Sequence, residues 1–175
     1  MKKQIFVLFA VLGLGLSSCS KKDDVTPSTL EGTYNLETIS LKSKVADQAA
    51  EDENENVSAQ KMYYTFSADG TYKTNAYWSL GEIGTDGMVS TGKYTLNGNT
   101  LSITYKDEDL GKEMTQSMQI KTNSDTQLVL FIGLDELKAG FKDVGAGLDP
   151  LSKAILEIFL SQMVQFEYTL TFKKA

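Results

Sequence analysis

The stretch Tyr63-Tyr64-Thr65-Phe66-Ser67-Ala68-Asp69-Gly70-Thr71-Tyr72-Lys73 constrains the fold of this chain more than any other. Apolar and polar residues alternate on both sides of Ala-Asp-Gly, which is the period of a half-buried strand, and Gly70 reaches positive φ without strain where a tight turn needs it. The stretch reads as a β-hairpin. Similar units follow. Tyr72, Thr74, Ala76 and Trp78 oppose Thr71, Lys73, Asn75 and Tyr77, and Leu96-Asn97-Gly98-Asn99 predicts a type I′ turn with Asn-Gly at its centre. Leu101, Ile103 and Tyr105 then face away from Ser102, Thr104 and Lys106, and Met114, Gln116, Met118 and Ile120 carry the next strand. Phe166, Tyr168, Leu170 and Phe172 alternate in the last strand, as Gly32 to Leu41 does in the first. Strands joined by short polar turns make an antiparallel meander, which must close or stack to bury its apolar face. An open meander leaves two unpaired edges, so the expected fold is all-β: an eight-stranded antiparallel barrel in which the first strand pairs with the last.

Two regions depart from the alternation. Lys42 to Gln60 is polar and acidic and reads as a long solvated loop or a frayed helix. Asp52-Glu53-Asn54-Glu55-Asn56 lacks the glycine and the spaced final glutamate of a calcium-binding loop. Leu128 to Ile132 is apolar throughout and therefore needs cover on both faces. Asp149-Pro150 supplies an N-cap and a first-turn proline for a helix with Leu151, Ile155, Ile158, Phe159 and Gln162/Met163 on one stripe, expected to pack on the outer face of that strand. A shorter helix is expected from Asp135, with Leu137, Phe141 and Val144 on its stripe. Both helices form an insertion before the last strand.

Composition narrows the function classes. At 175 residues the chain supports one domain, and a net charge of -6 with no basic stripe argues against a nucleic-acid partner. The absence of His removes the commonest general base and metal ligand, and a single Cys excludes an internal disulfide and a multi-thiolate metal site. No enzyme, cofactor or metal is expected.

The amino terminus gives the most specific motif. Lys2-Lys3, an apolar run from Ile5 to Leu16, and Leu16-Ser17-Ser18-Cys19 form a secretory signal over residues 1–18, too short to span a bilayer. Leu-Ser-Ser-Cys resembles the lipobox of bacterial lipoproteins, which implies lipidation of Cys19 and a lipid anchor in the membrane. Residues 19–29 then form a lipidated tether ahead of a domain spanning 30–175. Lys22-Asp23-Asp24 resembles the surface-export signal of lipoproteins of the Bacteroidota. The expected location is the outer membrane, lipid-anchored and exposed at the cell surface, with the periplasmic face as the alternative.

Gly32-Thr33-Tyr34, Phe66-Ser67-Ala68-Asp69-Gly70-Thr71-Tyr72 and Gly92-Lys93-Tyr94-Thr95-Leu96-Asn97-Gly98-Asn99-Thr100-Leu101 together resemble the lipocalin-like lipoproteins of the Bacteroidota. The resemblance runs from about Leu30 to Lys173. Lipocalins proper close the barrel floor with a Trp of the first strand under a basic side chain; here Tyr34 takes the Trp place and Lys173 or Lys174 the basic one. The resemblance implies a closed barrel with an apolar-ligand cavity and carries no catalytic residues. Candidate ligand-binding residues are Tyr64, Phe66, Tyr72, Trp78, Tyr94, Tyr105, Met118 and Tyr168, for a small, substantially apolar ligand that accepts hydrogen bonds from tyrosine hydroxyls. The same residues could instead fill the core. In that case the outer faces and the acidic loop would serve as the surface of an interaction subunit, with a cell-surface protein as partner.

Overall fold

Each alternating stretch pairs antiparallel with its neighbour along the chain, and the last strand returns to the first. The computed structural model describes residues 30–79, 82–107, 112–145 and 149–175; the expected leader, Cys19 and Lys22-Asp23-Asp24 lie outside the described residues. The strands are β1 (Gly32–Val45), β2 (Glu51–Asn56), β3 (Tyr63–Phe66), β4 (Thr71–Ser79), β5 (Glu82–Asn97), β6 (Thr100–Asp107), β7 (Lys112–Asn123), β8 (Gln127–Gly133) and β9 (Met163–Lys174). Helices α1 (Leu134–Gly145) and α2 (Pro150–Gln162) lie between β8 and β9. β2 and β3 border successive parts of β1, Thr38–Ser43 and Gly32–Asn35, so they share one place in an eight-membered ring. The ring closes through β1 and β9, with Tyr34 opposite Lys174, Leu41 opposite Tyr168 and Val45 opposite Met163.

One end, the floor, carries the β3–β4, β5–β6 and β7–β8 turns together with Leu30 and the C-terminus. The other end, the mouth, carries the β4–β5 and β6–β7 connections and the helices. At the floor, Gly70 N–H donates to the Ser67 carbonyl at 3.1 Å with Gly70 at φ +80°, while Asp69 Oδ1 accepts from Thr71 N–H at 3.0 Å. The second turn differs from expectation. Asn97 pairs with Thr100, so the loop is Gly98-Asn99 and Gly98 alone takes positive φ, +57°. A type I′ turn needs positive φ at both central residues; glycine at the first alone is the requirement of type II′.

The helical insertion also departs from the expected packing. No residue of α2 is buried, and Leu151 stands 71% exposed. α1 covers β8 instead. It starts directly after Gly133 and folds back, with Glu136 accepting from Gly133 N–H at 3.0 Å and from Gln119 Nε2 at 3.2 Å on the outer sheet face. Phe131 on that face also lies under Lys121 Nζ, 4.4 Å from its ring centroid. With that place taken, α2 turns its Leu156 and Leu160 side, half-buried, toward the rest of the protein, and starts on local signals: Asp149 Oδ1 accepts from Leu151 and Ser152 N–H, and Pro150 occupies the first turn. Leu137 and Phe141 of α1 are half-buried, while the side chain of Val144 lies outside the described residues.

Lys42 to Gln60 is not a loop or a helix through its length. β1 extends to Val45, and the acidic segment forms β2, in register from Thr38 opposite Asn56 to Ser43 opposite Glu51. An apolar stripe is absent because all six β2 residues are exposed; the pairing satisfies backbone groups rather than burying side chains. β5 begins at Glu82, and Asp86 to Val89 stand as extra residues between the Thr74–Ser90 and Ala76–Thr85 pairs.

Candidate functional site

The floor half of the barrel is packed with rings. Tyr64 sits 5.8 Å from Phe66, 5.6 Å from Tyr72 and 6.0 Å from Phe172, and Tyr34 lies 6.0 Å from Phe66. Tyr94 meets Phe66 edge-on at 5.0 Å. These separations fall in the favourable range for offset and edge-to-face aromatic pairs. Lys174 Nζ lies 5.5 Å from the Tyr34 ring centroid, so Lys174 supplies the cation over the first-strand ring, while Lys173 is exposed.

Three phenol groups of this half, those of Tyr64, Tyr72 and Tyr94, are engaged by the protein. Trp78 Nε1 donates to Tyr64 Oη at 2.9 Å, and burial pushes the Tyr64 phenol well above its ordinary range, with Tyr72 adding to the shift and hydrogen bonds from Trp78 and Thr74 opposing it. Tyr72 Oη donates to the Thr104 carbonyl at 3.0 Å, and burial pushes its pKa up to about 12. That contact passes over Gly92, where an added Cβ would stand 2.5 Å from both Thr104 O and Tyr72 Oη. Tyr94 Oη donates to the Ser67 carbonyl at 2.8 Å. Three hydroxyls expected to meet a ligand therefore meet the backbone or another side chain. Between the rings a cavity of about 10 Å³ is lined by Tyr64, Phe66, Trp78, Met118, Leu130 and Phe172 among others, room for about one water molecule.

All eight candidate residues lie in the ring of strands, but at different heights. Tyr64, Phe66, Tyr72, Trp78, Met118 and Tyr168 are buried, whereas Tyr94 and Tyr105 are half-buried against the same core. Tyr94 belongs to the floor through Phe66 and Ser67. Tyr105, Trp78 and Tyr168 belong to the mouth half, where Trp78 and Tyr168 approach edge-on at 6.3 Å and Phe166 stacks 6.4 Å from Tyr168. Phe166, Leu41 and Ile39 join them as half-buried walls. Sequence reasoning passed over these three as binding residues, although the alternation of β1 and β9 already placed them in strands.

The mouth also holds charge that alternation alone did not reveal. Glu51, Glu53 and Glu55 stand opposite Ser43, Leu41 and Ile39. Cross-strand partners share a face, and Leu41 and Ile39 face inward opposite Tyr168 and Leu170. Val57, next in the same parity, is buried in the core. The three glutamates therefore rim the inward side of the mouth. Among the described residues no group of three His, Cys, Asp or Glu is placed to hold a metal ion.

The ring of eight strands is closed and antiparallel, plugged by aromatic rings at one end and edged with half-buried apolar side chains at the other, a size of barrel that side chains can fill or that can hold one small ligand. The sequence profile of the lipocalin-like domain family matches residues 30–130, and the chain belongs to that family. Among solved structures, a polyisoprenoid binding domain from Saccharophagus degradans implicated in plant cell wall breakdown is similar over 81% of this chain and 98% of its own, at 13% identity and a TM-score of 0.32. No curated protein matches the chain.

Proposed function

We propose that this protein is a lipid-anchored carrier, not an enzyme, whose barrel takes a small, substantially apolar ligand at its mouth. One observation carries the reading: beside Trp78 and Tyr168 at mouth level, the inward side chains Leu41, Tyr105 and Phe166 are only half-buried, while Tyr34, Phe66 and Phe172 at the floor are buried. Apolar walls left open to water at one end of a barrel are where a ligand gains most by displacing solvent. The deep barrel is full, so the ligand sits shallowly and its buried area is modest. Anchoring through Cys19 and surface exposure through Lys22-Asp23-Asp24, in a lipoprotein of the Bacteroidota type, complete the reading and rest on the sequence motifs.

Titration of the protein with fatty acids, sterols and aromatic metabolites, followed by Trp78 fluorescence, tests the carrier reading; a saturable response lost in Leu41→Asp is expected. No response at saturating ligand would sink it. Detergent partitioning of the full chain against Cys19→Ala tests the anchor, and protease treatment of intact cells carrying the wild type or the triple alanine variant of Lys22, Asp23 and Asp24 tests surface display.

A second reading is favoured by the small cavity: a barrel with room for about one water serves as the rigid body of an interaction subunit in a surface assembly. The same titration separates the two.

A further inference from the structure

The barrel wall contains two strand edges that face each other without pairing. β3 joins the ring to β4 through Tyr64, Thr65 and Phe66 opposite Thr74, Lys73 and Tyr72. Beyond Thr74, β4 pairs with β5 alone, and β2 pairs with β1 alone among the described residues. Asn75 marks the parting. Its Oδ1 accepts from Tyr63 N–H at 2.9 Å and its Nδ2 donates to the Lys61 carbonyl at 3.1 Å, so a side chain takes the place of the next backbone rung. Past it, Ala76 N–H is taken by Thr74 Oγ1 at 2.9 Å on the side away from β5, and strand alternation puts the N–H and C=O of Trp78 on that same edge. Apart from isolated pairs at most, the Cα atoms of β2 and β4 are more than 8 Å apart. Neighbouring strands in a sheet lie ~4.8 Å apart, so β2 and β4 stand too far apart to pair directly and each keeps an unpaired edge toward the other.

The chemistry of the gap selects what enters it. Glu51, Glu53 and Glu55 lie on the inward side of β2, and Asp52 lies on the outward side, paired with Lys42 at 3.5 Å. Charged edge strands reject strands of like charge, so a second copy of β2 is excluded from this place. A segment with cationic residues at alternate positions is matched to the three glutamates. We propose that the slot between β2 and the Asn75–Trp78 part of β4 docks an extended lysine- or arginine-rich segment of a partner protein, which adds as a strand and completes the wall. Main-chain pairing supplies the affinity and the carboxylates supply the choice of partner. The proposal does not depend on the carrier reading, since the slot is in the wall and uses no interior cavity.

The test uses the full chain with three short peptides: one alternating lysine and valine, one alternating glutamate and valine, and the lysine–valine peptide N-methylated on alternate amides. The first is expected to bind saturably, more tightly as salt is lowered, and to add hydrogen-exchange protection at the amides of β2 and Trp78. The other two are expected not to bind. Glu53→Lys combined with Glu55→Lys changes only exposed side chains and is expected to weaken the lysine–valine peptide by about tenfold or more while admitting the glutamate–valine peptide. Absence of binding, equal binding of the N-methylated peptide, or binding without new protection at these amides would each overturn the proposal.

Discussion

The two halves of the barrel share β1, β4 and β9 yet treat inward side chains differently. Tyr34, Phe66 and Phe172 at the floor are at most 3% exposed, whereas Leu41 and Phe166, farther along the same β1 and β9, are half-exposed. The difference follows the ladders. At the floor every strand has two partners and rings fill the enclosed space; toward the mouth the β2 and β4 edges part, and water reaches the walls. A closed hydrogen-bonded ring thus permits a dry aromatic core, and its interruption permits glutamates on inward positions at little cost.

The sharpest way to break the comparison is to truncate the same residue type at both heights. Phe172→Ala removes a buried ring and is expected to cost about 3–5 kcal/mol, while Phe166→Ala at the mouth is expected to cost roughly half of that or less. Denaturant titration of both variants measures the gap; equal losses would erase the distinction. Gly92→Ala comes next. Its Cβ would meet the Thr104 carbonyl and the Tyr72 ring at 2.5 Å, and the overpacking is expected to cost about 1–3 kcal/mol and to loosen the Tyr72 hydrogen bond.

The phenols of Tyr64 and Tyr72 offer a pH test of the same half. Both pKa values are raised by burial, Tyr72 to about 12, so the folded state keeps protons that the unfolded chain gives up near pH 10. Their contribution is fully present below about pH 10 and is lost as pH rises through the folded values. The urea midpoint is therefore expected to fall steeply between about pH 10 and 12, and less steeply in Tyr72→Phe. Smallest of all, Leu151→Gln or Ile155→Gln on α2 is expected to change stability by no more than about 0.5 kcal/mol, because neither side chain is buried. A larger loss in thermal unfolding would mean that α2 packs this face on the barrel in solution.

Much of the ring was legible because period-two alternation reports directly on which face is inside. Phe66, Tyr72, Leu101, Ile103, Met118, Leu170 and Phe172 all stand buried where alternation placed them. β2 was illegible because Glu51 to Asn56 bury nothing: register, not hydrophobicity, makes that segment a strand. The stripe of α2 misled for the complementary reason. Helical spacing of Leu151, Ile155, Ile158 and Phe159 specifies an apolar face but not what covers it, and α1, starting directly at Gly133, reaches β8 first. At the candidate site the aromatic residues were readable, but the partners of their hydroxyls were not, since Thr104, Ser67 and Trp78 approach Tyr72, Tyr94 and Tyr64 only through tertiary pairing.

The seam between β1 and β9 has a kinetic consequence. Every other ladder of the ring joins segments near each other in the chain, but this one joins the first strand to the last, with Ala175 N–H donating to the Thr33 carbonyl at 2.9 Å. A fold whose decisive pairing has the largest sequence separation has a high contact order and folds slowly. Until β9 is synthesised and docks, β1 and β8 remain open edges of an unfinished sheet, the form of a β-protein most exposed to misassembly. Chains ending before Met163 are expected to accumulate as aggregates rather than as a smaller soluble domain, so the final strand governs the yield of folded protein as well as its shape.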